Sequence, residues 1–177
     1  MHGVQLWAGM DPTLEDCDPS FEHYGAEEIP DFEGGPVRIR LIAGTGFGHR
    51  SPVGVTGPTG CADLQWRGDG NLAIDTEHEE HAVYPLEGAA DVNQSPVGRG
   101  QLAVVGEAGE MKISATAGTR LLLIGGARRR APLHMHWNYA SSSPTRRLEA
   151  RRRWADGAFP SAVGDDDTPE SDPTPAP

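Results

Sequence analysis

The strongest constraint on this fold is its punctuation. From Pro36 onward, glycine, proline, asparagine and aspartate interrupt the chain about every 8–12 residues, and the runs between them are short and apolar. Val37-Arg38-Ile39-Arg40-Leu41-Ile42 alternates strictly, so one side faces a core and the other faces water. Ala62–Trp66, Asn71–Thr76, His81–Leu86, Gln101–Val105, Glu110–Ala115, Arg120–Ile124 and His134–Tyr139 read as further strands, and Val4–Trp7 as a short one. Many short strands with frequent turns predict an all-β sandwich or barrel. With 23 Gly and 15 Pro the chain has the turn residues such a fold demands, and its 177 residues suffice for one domain with tails.

One helix is expected. Ser143 can cap it, Pro144 suits its first turn, and the run Thr145–Trp154 stops at Gly157. Its apolar stripe is thin, just Leu148, Trp154 and Ala155, so it must dock on something to be stable. Residues 159–177 are acidic and proline-rich and read as a disordered tail.

The net charge of −11 argues against nucleic acid and anionic membrane surfaces as partners. Eight arginines between Arg128 and Arg153 could meet an acidic partner, or simply form a solvated loop and helix face. Cys17 and Cys61 have no metal spacing and are expected to be reduced thiols. No apolar run approaches membrane-spanning length and no secretory leader is visible, so the expected location is cytoplasmic. Gly44-Thr45-Gly46-Phe47-Gly48 lacks the Gly-Lys-Ser/Thr ending of a phosphate loop and is read as a turn, and no nucleophile elbow is present.

Several segments together resemble the pirin family. They are His2-Gly3-Val4-Gln5-Leu6-Trp7, Glu28-Ile29-Pro30 after an acidic stretch, Leu121–Gly126, His136-Trp137-Asn138, and the arginine-rich helix ending in Trp154-Ala155-Asp156-Gly157. Pirins are bicupins, two β-barrels in one chain; the resemblance covers only their C-terminal half, and this chain reads as a bacterial-type member. It implies a cupin-type (RmlC-like jelly-roll) β-sandwich barrel with one C-terminal helix. The implied organisation is residues 1–10 as a strand from the end of a first barrel, 11–35 as an acidic linker, 36–140 as the C-terminal cupin, 141–158 as the helix, then the tail. In pirins the metal, usually iron, sits in the first barrel on three histidines and a glutamate. The family's roles are quercetin dioxygenase activity and transcription co-regulation.

Laid on this sequence, the cupin metal pattern keeps its spacing, but every ligand type has changed. Gly88 closes the first motif, which puts His81 at the glutamate position and Asp75 and Glu77 at the two histidine positions. In the second motif Gly100 opens, and Met111 takes the histidine position. Asp75, Glu77 and His81 remain candidate ligands for iron or another divalent metal, whereas the Met111 thioether suits no hard ion. His78 with His81, and His134 with His136, form histidine pairs that would make a strong site only if all four converged. The expectation is therefore no catalytic residue, no cofactor and a structural or protein-interaction role. The alternative is a metal-dependent dioxygenase of the quercetinase type, alone or with a partner first barrel. The expected partners are a second copy of the chain or a separately encoded N-terminal pirin cupin. A third expectation is that the chain is a truncated piece of a longer protein.

Overall fold

A computed structural model describes residues 3–75, 78–106 and 109–160. These fall into two compact units: Asp18–Arg128, and residues 3–17 together with 129–160.

The first unit is a β-sandwich. Its larger sheet holds β1 (Asp31–Gly34), β2 (Val37–Gly46), β3 (His49–Arg50), β4 (Thr59–Trp66), β6 (Glu80–Glu87), β9 (Ala103–Gly106) and β11 (Arg120–Gly126). The order is β1-β2-β4-β11-β6-β9, with β3 paired to β2. The smaller sheet holds β5 (Gly70–Asp75), β7 (Ala89–Val92), β8 (Ser95–Gly98) and β10 (Glu110–Ala115), in the order β5-β10-β7-β8. All pairings are antiparallel. This is the expected jelly-roll sandwich, assembled from alternation. On β2, Val37, Ile39 and Leu41 point inward, and on β4 Ala62, Leu64 and Trp66 do. They meet Leu72, Ile74, Val92, Met111 and Ile113 from the facing sheet. Trp66 is fully buried and still satisfies its indole N–H, which donates to the Gly70 carbonyl at 3.1 Å.

The outward positions form a polar ladder. Arg38, Gln65 and Arg120 lie in register across three strands. Asp31 accepts from both Arg38 (2.6 Å) and Arg40 (2.9 Å), and Asp63 holds Arg120 through two bonds of 2.8 Å. The paired guanidiniums, Arg38 first, hold the Asp31 carboxyl down at about 2, although its partial burial opposes them.

The second unit contains a hairpin, β12 (His134–His136) with β13 (Tyr139–Ser141), and the helix α1 (Pro144–Ala155). Ser143 caps α1 by accepting from the Arg146 amide, and the last turn carries Arg152 and Arg153. Trp154 packs edge-on against Trp137, which supplies the docking the thin stripe needs. Glu15 joins residues 3–17 to this unit. Its carboxylate accepts from the Ser141 hydroxyl and from the Ser142 amide, both at 2.8 Å. Arg129 donates to the Met10 carbonyl at 2.8 Å.

Three expectations are corrected. Val4–Trp7 is not a strand: no described strand pairs with it, and a strand requires a hydrogen-bonded edge. Val4, Leu6 and Trp7 are left 48%, 48% and 53% exposed. Residues 11–35 are not wholly a linker, because Gly35 (φ 62) followed by Pro36 turns Asp31–Gly34 back onto β2. His134–Tyr139 is broken at Trp137 (φ 46), so one expected strand becomes a hairpin. The expected tail lies almost entirely outside the described residues. Cys17 and Cys61 are both free thiols. Among the described residues no helix is long and apolar enough to cross a membrane.

Candidate functional site: a histidine-lined cleft in the sandwich

β2 changes direction as it reaches one end of the sandwich. Its register with β4 shifts between Leu41 and Ala43, a bulge that re-aims the strand. Buried Ser51 stabilises the bulge by donating its hydroxyl to the Ile42 carbonyl at 2.7 Å, while its amide donates to Gly44 at 2.9 Å. Gly44 (φ 73) crosses so close to β4 that a Cβ there would lie 1.6 Å from the Thr59 carbonyl. A two-residue turn, Phe47-Gly48, then reverses the chain into β3. Both residues have positive φ (56° and 73°), as a type I′ turn requires. For Phe47 this conformation is strained.

The hairpin walls one side of a narrow, half-open cleft with room for about one water molecule. Leu41, Phe47, Ile74 and Leu123 supply apolar walls. Gly60 on β4 pairs with Gly125 on β11, and Gly125 pairs with His81 on β6. Two cross-strand glycines thus leave a bare patch of backbone beneath the His78 and His81 rings. A Cβ on Gly60 would meet His78 Nε2 at 2.7 Å, and one on Gly125 would meet His78 Cδ2 at 2.7 Å and His81 Cδ2 at 3.0 Å. The two imidazole centroids are 5.8 Å apart, tilted by 42°.

The two histidines are held differently. His78 is partly exposed, and its Nε2 lies 3.3 Å from the Thr45 carbonyl, which it can meet only as a donor. His81 is 5% exposed, and its Nδ1 is buried with no hydrogen-bond partner among the described residues. Burial, with a smaller push from neighbouring His78, lowers the His81 pKa, so the ring is neutral at pH 7. Cys61 also lines the cleft. Burial, then Asp63, pushes its thiol up to about 11, which leaves it protonated and unreactive.

Of the three candidate ligands, His81 lines this cleft. Asp75 ends β5 opposite Glu110, and Glu77 lies outside the described residues. Met111, at the second motif's histidine position, is 1% exposed inside the hydrophobic core. His134 and His136 belong to the other compact unit from His78 and His81. Among the described residues no group of three histidine, cysteine or carboxylate side chains could hold a metal ion. The family's three-histidine, one-carboxylate set does not fit the donors described here. The sequence reading missed the Gly60–Gly125 pair. The signal was a glycine on each of two apolar strands, which marks a close approach of something to the backbone.

Comparison with known proteins agrees with this barrel. Residues 61–160 match the family model of the pirin C-terminal cupin domain. A pirin-like protein of Caulobacter vibrioides is 32% identical over 158 residues, covering 89% of this chain and 54% of its own length. Pirin-1 of Arabidopsis thaliana is 28% identical over 134 residues, covering 71% of this chain and 46% of its own. The crystal structure of a quercetin 2,3-dioxygenase from Acinetobacter baumannii superposes with a TM-score of 0.85 at 26% identity, covering 94% of this chain and 56% of that one. The chain thus spans about half the length of the relatives it matches. It belongs to the pirin family, through that family's C-terminal cupin domain.

Proposed function

We propose that this chain is a pirin C-terminal cupin domain that holds no metal of its own and serves a structural or protein-interaction role. The carrying observation is Met111. At the position where a cupin places its last histidine, a thioether is packed against Ile74 and Ile113 in the sealed core. Exposed Leu6, Trp7, Met135 and Leu148 in the hairpin-and-helix unit are the apolar side chains a partner would cover. The proposed partner is an N-terminal pirin cupin, or else a second copy of the chain.

The test is metal content per chain by elemental mass spectrometry, on protein purified without a tag. Less than about a tenth of an equivalent supports the reading. Near one equivalent of iron or another divalent metal, lost on His81→Ala, overturns it.

A second reading is a metal-dependent quercetinase-type oxidoreductase, acting alone or with a partner first barrel. Its support is the likeness to the Acinetobacter quercetin 2,3-dioxygenase. Oxygen consumption with quercetin decides between the two, measured with the chain alone and with an added N-terminal pirin cupin.

A further inference from the structure

We infer that the acidic segment from Asp165 to Asp172 docks on the arginine face of α1 in the same chain and shields it from other acidic molecules. This goes beyond the proposed role and does not depend on it.

The face is strongly charged. α1 carries five arginines against a single acid, Glu149. The helix dipole favours Arg152 and Arg153 in the last turn, and both are exposed. Arg147 and Arg151 stand one turn apart, a like-charge spacing that destabilises a helix unless an anion faces it. Acids from outside the helix already meet its first turn: Asp16 pairs with Arg146, and Glu15 lies 3.9 Å from the same guanidinium.

The chain turns back toward this face as it leaves α1. Gly157 (φ 64) donates to the Trp154 carbonyl at 3.0 Å, and Ala158 donates to the Arg153 carbonyl at 2.8 Å. These two bonds make a Schellman motif, which reverses the chain. Phe159 then packs on Trp154, with ring centroids 5.7 Å apart, and the Arg153 guanidinium lies 4.8 Å from its ring centre. The chain therefore departs from beside the turn that carries Arg152 and Arg153.

Charge and reach name the occupant. Residues 161–177 contain Asp165, Asp166, Asp167, Glu170 and Asp172 and no lysine or arginine. The five residues from Pro160 to Asp165 span up to about 17 Å. A helix the length of α1 is about 18 Å long, so these acids reach every turn of it. A segment tethered this closely acts at an effective concentration on the order of millimolar. An acidic partner therefore reaches α1 only by displacing it.

The test uses the full chain and a variant with Asp165→Asn, Asp166→Asn, Asp167→Asn, Glu170→Gln and Asp172→Asn together. Arg152 and Arg153 backbone and Nε resonances should differ between the two at about 20 mM salt and converge at about 500 mM. The difference should not change over a roughly tenfold range of protein concentration, as a contact within one chain requires. Arg152→Gln with Arg153→Gln should shift the amides of residues 165–172 in the otherwise unaltered chain. A hexaglutamate peptide should bind the neutralised variant at least about threefold tighter than the parent. The inference is overturned if the arginine resonances match at low salt, if their difference grows with protein concentration, which would place the segment on a second copy, or if hexaglutamate shows no preference for the neutralised variant.

Discussion

His81 lies in register with Gly125, and the edge of its ring occupies the volume a side chain at Gly125 would take. The residue type at one strand position therefore decides whether an imidazole can sit at its neighbour. Gly125→Ala puts a methyl 2.7 Å from His78 and 3.0 Å from His81. We expect a loss of about 1–3 kcal/mol in urea denaturation, the usual cost of overpacking. Gly106→Ala, whose Cβ meets nothing within 4 Å, should stay within about 0.5 kcal/mol of the parent.

Met111 gives a test of whether the old ligand position still matters to anything but packing. Met111→Leu conserves volume and should cost less than about 1.5 kcal/mol. Met111→Glu buries a carboxylate among Ile74, Ile113 and their neighbours and should prevent folding. A barrel that took up iron on Met111→His while remaining folded would contradict the packing account.

The Asp31 carboxyl predicts an acid limb in stability. Its folded pKa of about 2 lies below the ordinary 3.8, so the unfolded chain takes up the proton first as pH falls. The stabilisation is fully present above about pH 4 and is lost progressively between pH 4 and 2. Its size is on the order of 1 kcal/mol, because the ion pairs with Arg38 and Arg40 are partly open to solvent. Urea midpoints measured across that window should show the step, and Asp31→Asn should remove it.

Glu15 carries the corresponding prediction for the other unit. Burial works against its charge. Donors from Ser141 and Ser142, with Arg146 nearby, outweigh burial and keep its pKa below the ordinary value. Glu15→Ala leaves those donors without their acceptor, at a cost of about 1–3 kcal/mol. Hydrogen exchange should accelerate at Ser142 and in the first turn of α1, while amides of β4 and β11 keep their protection.

Residue pattern made much of the fold legible, and the misses share a cause. The alternation in Val37–Ile42 marked β2 because one buried face fixes register. Ser143-Pro144 marked the start of α1 because capping is local chemistry. Val4–Trp7 also alternates, but pairing is not local, and no described strand offers it an edge. Gly44–Gly48 read as a turn, but its type did not, because phenylalanine rarely takes the left-handed conformation that Phe47 adopts in this type I′ turn. The cleft escaped notice for a related reason. Its defining element is a missing side chain at Gly60 and Gly125, and only the strand register shows that those gaps adjoin His81.

Glu15 finds its partners 126 and 127 residues further along, with the whole sandwich between them. During synthesis on a ribosome, residues 3–17 emerge before their partners and must wait, while Asp18–Arg128 can already collapse around its own core. The clasp at Glu15 therefore closes last, as a long-range step added to a finished barrel. Any protease or chaperone that samples the nascent chain should find that stretch open until Ser141 and Ser142 have emerged.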